Sequence, residues 1–220
     1  MSRSTHESES RGLMLAGIAA PVVMAGAILV AGQLEPDYSH ATQYVSELGA
    51  VGATNATAFN LVGLSLVGLL TILFAIGMYR QVRPSAWLVT SSALVAAAGL
   101  GRLAAGFFPC DAGCVLEGMS TTATIHAGMG FMALNAGAFA PVALAIGLRH
   151  RRPHPLFGPS VGLGVLSVVL AVVFFGLAKE LVPNIGIVQR TLLAALYAWI
   201  VAIALNIDTL SPKESAGRVL

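Results

Sequence analysis

Charged side chains are scarce in this chain: Asp, Glu, Lys and Arg make up 10% of its 220 residues, while 56% of the residues are hydrophobic. An ordinary soluble domain carries about 25% charged residues. The chain also lacks a Walker loop, a His-Glu-x-x-His zinc helix, a Gly-x-Ser-x-Gly elbow and a dinucleotide-binding glycine motif. These absences exclude several soluble enzyme classes and indicate a membrane protein.

The apolar residues fall in continuous runs of about 20, each long enough to cross a bilayer core of roughly 30 Å as a helix. The predicted spans are residues 12–32, 59–79, 87–107, 124–148, 160–178 and 187–207. Residues 12–32 exceed the usual signal-peptide core of about 7–15 residues, so we expect a permanent span. Barrel strands would alternate polar and apolar residues, and these runs do not. The sequence therefore predicts an all-α, six-helix membrane bundle forming a single domain over residues 1–220.

The basic residues predict the orientation of this bundle. Nine of the 12 Lys and Arg residues lie in segments on one side of the predicted membrane. They are Arg3, Arg11, Arg80, Arg83, Arg149, Arg151, Arg152, Lys213 and Arg218. By the positive-inside rule, both termini are cytoplasmic and three loops face outward. These inner loops account for the net charge of +2, so we expect contacts with membrane lipids in the cell membrane and no nucleic-acid partner.

Arg102 lies inside the third apolar run. A guanidinium at membrane depth costs roughly 2.5–3.5 kcal/mol on insertion scales, so it usually faces a partner or a wet cavity. Asp111 follows nine residues later, beyond Pro109. We expect Arg102 to pair with Asp111 first and with Glu47 second, either as a structural ion pair or as part of a binding site.

The first outward loop carries polar residues at the same predicted depth. Residues 39–48 are interpreted as a short helix on the membrane surface, with Gly49 as a C-cap, so that Ser46 and Glu47 can point toward the mouth of the bundle. His126 near the start of the fourth span completes the group. A lone histidine there is usually a packing residue, and its company with these groups makes it a candidate for binding.

Cys110 and Cys114 are the two cysteines of the chain, and both lie in an outward loop. An oxidising compartment favours a local disulfide between them. The alternatives are free thiols, or a zinc site made of Cys110, Asp111, Cys114 and His126, although this spacing is not that of a standard finger. A haem between helices needs a second intramembrane imidazole beside His126, so we expect no haem. The prediction is a protein without a cofactor, with zinc as the alternative.

Several of these segments together resemble a prokaryotic membrane family catalogued as domain of unknown function 998. The resemblance is carried by Tyr38-Ser39-His40, Ser46-Glu47-Leu48-Gly49, Arg102, Phe108-Pro109-Cys110-Asp111 and His126. It covers most of the chain, from the first span to the sixth. The resemblance implies a fold and a site but carries no activity with it.

Two functions follow as hypotheses. In the first, the protein is not an enzyme, and a polar pocket at the outer face binds a small molecule or lipid head group through Glu47, Arg102, Asp111 and His126. In the second, it is an intramembrane hydrolase of lipid-like substrates, similar to the alkaline ceramidase and adiponectin-receptor group. Ser46, Asp111 and His126 would then be catalytic around zinc. Those enzymes use three histidine ligands, whereas this chain offers His126 and, as a second, His40.

Overall fold

The computed structural model describes residues 3–81, 85–150, 153–176 and 183–210, with the backbone alone for residues 3–11. Its helices are α1 (Arg3–Leu34), α2 (Ala56–Gln81), α3 (Ala86–Ala105), α4 (Thr121–Leu148), α5 (Phe157–Gly176) and α6 (Ile185–Asn206). The described residues contain no strand, and all six helices are long and apolar enough to cross a membrane. The predicted all-α fold of a multi-pass membrane protein is therefore confirmed.

The helix ends lie within three residues of the predicted span ends, apart from the longer start of α1 and the predicted end at residue 178, which is outside the described residues. Five basic residues used for the orientation also fall outside them: Arg83, Arg151, Arg152, Lys213 and Arg218. The orientation stays a prediction. Following it, we call the end of the bundle that carries residues 35–55, residues 106–120 and the start of α6 the outer end.

Helix α3 packs against α2 on one side and α4 on the other. Gly101 permits the close approach of α3 to α4, since a Cβ at this position would lie 2.6 Å from the Met129 carbonyl oxygen. Apolarity alone gives no driving force between helices in lipid, so small residues that allow backbone contact are typical of such interfaces. This packing fixes the neighbouring Arg102 between the helices.

Helix α2 changes its winding at the outer end, where Phe59–Leu66 forms a π-helix. Such segments are rare and are often found near functional sites. Within it, the buried Asn60 side chain donates a hydrogen bond of 2.8 Å to the Gly49 carbonyl. The segment thereby attaches the first outer loop to the bundle.

The first outer loop, residues 35–55, contains less helix than predicted. A 3-10 turn covers Val45–Gly49 alone, and Ala50, in an extended conformation, is its C-cap. Side chains replace the helical partners of the backbone: Gln43 Oε1 accepts from the Ser39 N–H at 2.7 Å, and Glu47 Oε1 accepts from the Tyr44 N–H at 2.8 Å. Such local bonds compete with helix formation. The predicted helix over residues 39–48 with a Gly49 cap is therefore wrong.

Candidate functional site

A cavity of about 520 Å³ lies at the outer end of the bundle, beneath the two outer loops. Its volume is within the usual range for small-molecule pockets, roughly 300–1,000 Å³. The wall is mainly apolar and includes Met24, Leu64, Leu116, Met119, Phe131, Leu134, Phe174, Phe175 and Leu193. Its polar side chains include Ser46, Arg102, His126 and Gln189, from four different elements, together with Tyr44 of the first outer loop. The cavity is thus lined mainly by apolar side chains, and a small cluster of polar side chains from several elements also faces it.

Arg102 is the charged residue of this wall, and it is 7% exposed. Among the residues that the structure describes, none accepts a hydrogen bond from its guanidinium or forms an ion pair with it. Its Cζ atom lies over the Tyr197 ring, 5.3 Å from the ring centroid. The buried Tyr197 hydroxyl has no hydrogen-bond partner either. A cation–π contact therefore stabilises Arg102, while its donors stay available.

Asp111 does not pair with Arg102 and does not line the cavity. Its carboxylate accepts hydrogen bonds from the Ser120 N–H at 2.8 Å and from the Ser120 hydroxyl at 2.7 Å. These bonds, the one from the backbone first, lower the pKa of Asp111 below its usual value. Ser120 is the N-cap of α4, and its Oγ accepts from the Ala123 N–H. The expected Arg102–Asp111 pair is wrong because the start of α4 provides closer donors.

Glu47, the second expected partner of Arg102, also lies outside the cavity wall. Its carboxylate oxygens accept from the Tyr44 N–H and from the Gln43 side-chain amide, at 2.8 and 2.9 Å. Both donors belong to the same loop, so Glu47 maintains the 3-10 turn. The binding roles predicted for Glu47 and Asp111 therefore lack the geometry that a cavity ligand needs.

His126 lies in the cavity wall and is 9% exposed. Its Nδ1 atom is 2.7 Å from the Phe108 carbonyl oxygen and 3.1 Å from that of Ala105. Carbonyls only accept hydrogen bonds, so we assign the proton to Nδ1. In neutral histidine the Nε2 atom is then an acceptor, and it has no partner among the described residues.

Gln189 was not predicted from the sequence, although it is a buried polar residue of the cavity wall. Its Oε1 accepts from the Val45 N–H at 2.7 Å, which joins the first outer loop to α6. The amide nitrogen of Gln189 donates to no residue in the described ranges. A polar pair, Gln189-Arg190, inside an apolar run was the signal available in the sequence.

The predicted disulfide is present, with the sulfur atoms of Cys110 and Cys114 2.00 Å apart. Both cysteines line the cavity, and Cys114 Sγ lies 3.5 Å from the Ser46 hydroxyl oxygen. The Val51 N–H donates to the Cys110 carbonyl at 2.9 Å. The disulfide therefore closes a short ring within the second outer loop, and the Val51–Cys110 hydrogen bond joins that loop to the first outer loop at the cavity.

The residues proposed for a zinc hydrolase are not assembled. Ser46 and His126 share the cavity, but Asp111 is bound to Ser120 outside it. His40 packs edge-on against Tyr38, with ring centroids 5.2 Å apart, and does not line the cavity. In the described part of the chain, no group of three or more His, Cys, Asp or Glu residues is placed to hold a metal ion.

Arg190, near the start of α6, anchors the first outer loop. Its guanidinium donates to the carbonyls of Gln43 and Gly186, at 2.9 and 3.0 Å, and to the Tyr38 hydroxyl. Tyr38 in turn donates to the Tyr44 carbonyl at 2.9 Å. Burial raises the pKa of Tyr38, and the charge of Arg190 opposes that rise, so the hydroxyl stays protonated at neutral pH.

Gly186 permits this close contact between the loop and α6. A Cβ at this position would lie 2.5 Å from the Gln43 carbonyl oxygen, 2.7 Å from that of His40 and 2.8 Å from that of Ala41. The Ile187 N–H also donates to the Ala41 carbonyl at 3.1 Å. The loop backbone therefore rests directly on the helix backbone.

A family model described as "Protein of unknown function (DUF998)" matches residues 18–206, which include the whole cavity wall. Neither the curated proteins nor the solved structures contain a match. The resemblance seen in the sequence is confirmed.

Proposed function

We propose that this chain, which belongs to the family described as protein of unknown function DUF998, binds an anionic amphiphile in its outer cavity. The ligand is a small molecule or lipid whose negatively charged head contacts Arg102. The protein acts in the cell membrane with the cavity on the outer side, and it performs no chemistry on the ligand.

The observation that carries this proposal is the guanidinium of Arg102, which is buried, charged and without a hydrogen-bonding partner among the described residues. A buried charge is costly unless it is paired and hydrogen-bonded. Arg190 shows that this chain provides acceptors for an arginine where the fold requires it. The cavity beside Arg102 supports a partner that comes from outside the chain.

The apolar wall supports an amphiphile over a simple ion. Phe131 of α4 and Phe175 of α5 both line the cavity, and they are 54% and 38% exposed. Their ring centroids are 5.0 Å apart. This aromatic wall supports an acyl chain that lies along it, where burial from water adds about 0.8 kcal/mol per CH₂ group.

No specific observation favours the hydrolase hypothesis over binding. A zinc mechanism needs at least three protein ligands and an open coordination position. Of the proposed set, Asp111 and His40 lie away from the cavity, and the two cysteines form the disulfide. Binding without chemistry accounts for Arg102 and needs no further group.

The test is a calorimetric titration of the full chain in phosphatidylcholine nanodiscs. The probes are octanoate, octyl sulfate and octyl phosphate, with neutral octyl glucoside and cationic octyltrimethylammonium as controls. We expect saturable binding of at least one anion. Arg102→Met should weaken that binding by at least about tenfold, since hydrogen bonds to a charged group contribute about 1.5–3 kcal/mol.

Arg149→Met is the matched control, because Arg149 is an exposed arginine at the opposite end of α4. It removes the same charge and should leave the affinity unchanged. Absence of saturable binding for all three anions would overturn the proposal. So would an equal loss of affinity in the two arginine variants.

A further inference from the structure

We infer that the head group bound in this cavity is a phosphate monoester, an anion that carries both acceptor oxygens and an O–H donor. The inference rests on the proposed function and names its ligand class. It follows from the hydrogen-bonding capacity that the polar residues of the cavity leave unused.

Three of these residues offer donors. Arg102 has five N–H groups without an acceptor in the described ranges. The side-chain NH₂ group of Gln189 also has no acceptor there. The Ser46 hydroxyl lies beside the Cys114 sulfur, a weak acceptor. The group therefore matches a head with several acceptor oxygens, such as a carboxylate, a sulfate or a phosphate.

His126 offers the opposite. With Nδ1–H donated to the carbonyls of Ala105 and Phe108, its Nε2 atom presents a lone pair. An anion without a proton would place its own lone pairs against that atom, and a buried acceptor without a donor costs free energy. A ligand that satisfies both Arg102 and neutral His126 must therefore also donate a hydrogen bond.

This requirement separates the candidate anions. At neutral pH a carboxylate, a sulfate monoester and a phosphate diester carry no O–H group. A phosphate monoester has a second pKa of about 6, so its singly protonated form is accessible close to neutrality. That form carries anionic oxygens for Arg102 and one P–OH group for His126. Among these anions, the singly protonated phosphate monoester therefore complements both the donors and the acceptor that the polar side chains of the cavity offer.

Free inorganic phosphate shares this chemistry but not the apolar wall. Phe131, Phe174 and Phe175 form a chain of edge-on aromatic contacts, with centroids 5.0 and 4.8 Å apart, along the side of the cavity. A tetrahedral ion would leave this surface uncovered. The aromatic wall therefore favours a lipid-like monoester over the free ion.

The experiment compares five probes on the full chain in phosphatidylcholine nanodiscs: octyl phosphate, octyl sulfate, methyl octyl phosphate, octanoate and inorganic phosphate. Octyl phosphate and octyl sulfate share shape and chain length, and the singly protonated phosphate differs from the sulfate in its O–H donor. We expect octyl phosphate to bind at least about tenfold more tightly than the three other octyl anions. Inorganic phosphate should bind at least about tenfold more weakly than octyl phosphate, because it buries no chain.

His126→Asn identifies the cause of this preference. The Asn amide nitrogen can occupy the place of Nδ1 and keep the donation to Ala105 and Phe108, while nothing replaces Nε2. We expect the ratio of the octyl phosphate affinity to the octyl sulfate affinity to fall to about one in this variant. His150→Asn, at an exposed position, should keep the original ratio.

Each result is informative. If none of the probes binds, the proposed function itself fails. If octyl sulfate binds as tightly as octyl phosphate, or if His126→Asn keeps the preference for phosphate, an anion site exists and the inference about its head group is overturned. If inorganic phosphate binds as tightly as octyl phosphate, the ligand is the free ion, and the inference of a lipid-like monoester is overturned.

Discussion

Two arginines lie at the outer end of the bundle, Arg102 near the end of α3 and Arg190 near the start of α6. Both stack on a tyrosine ring, at 5.3 Å for Arg102 and 5.6 Å for Arg190. They differ in their acceptors. Arg190 donates to two carbonyls and a hydroxyl, whereas Arg102 donates to none of the described residues and faces the cavity.

This difference separates a structural charge from a site. The acceptors of Arg190 come from the first outer loop and from its own helix, so its charge is used to hold the fold together. The buried charge of Arg102 costs free energy in the folded protein, and no hydrogen bond to the described residues offsets that cost. Groups that lower stability in this way are typical of functional positions, where a ligand supplies the missing interaction.

The largest effect should come from removing the guanidinium of Arg190, with the same change at Arg102 as the comparison. Arg190→Met leaves the Gln43 and Gly186 carbonyls and the Tyr38 hydroxyl without their donor. We expect a loss of about 2–3 kcal/mol in the free energy of unfolding. Arg102→Met, of the same chemistry, should leave stability unchanged or raise it by up to about 1 kcal/mol. Unfolding in detergent at pH 7 measures both, and equal losses would contradict the comparison.

A smaller effect should follow from disturbing the surface on which the loop of Arg190 rests. Gly186→Ala places a methyl group 2.5 Å from the Gln43 carbonyl oxygen, so the loop or the helix must shift. Overpacking of this kind costs about 1–3 kcal/mol. Gly162→Ala in α5 is the control, because nothing lies within 4 Å of its added Cβ. Thermal unfolding should distinguish the two variants. Similar unfolding midpoints would contradict the close contact between the loop and α6 at Gly186.

The smallest effect concerns Asp111, the rejected partner of Arg102. Hydrogen bonds from Ser120 lower its pKa in the folded state. A lowered pKa adds stability above the unfolded value of about 3.9, and this contribution is lost as the pH falls through the folded value. Asp111→Asn removes it, so wild type and variant should differ in unfolding midpoint at pH 7 and converge in acid.

Asp111→Asn should leave the affinity for the anionic probe unchanged, because the carboxylate does not face the cavity. Combined with Arg102→Met, it should give additive changes in stability. A non-additive change would be evidence for an Arg102–Asp111 ion pair. It would contradict the comparison of the two arginines.

The sequence carried the fold because continuous apolar runs have few structural solutions in lipid. The disulfide was equally accessible, since Cys110 and Cys114 share one short loop. The structure also brings Ser46, Arg102 and His126 to one cavity, while their binding roles stay predictions. Polar residues at one membrane depth were therefore a usable signal for the position of the cavity.

The partners of these residues were not accessible from the sequence. Whether Asp111 reaches Arg102 or Ser120 depends on the path of one loop, and the N-cap of α4 decides it. Gln189 joins Val45 across 144 positions of sequence, and no local pattern encodes such a contact. The 3-10 turn at Val45–Gly49 likewise depends on side-chain bonds that override helix propensity.

The attachment of the first outer loop to α6 has a consequence for biogenesis. Arg190 meets Gln43 across 147 positions of sequence and Tyr38 across 152. During synthesis from the N-terminus, the loop emerges four helices before the residues that anchor it. The roof of the cavity is therefore the last part to mature, and a nascent chain arrested before α6 has no means of completing it.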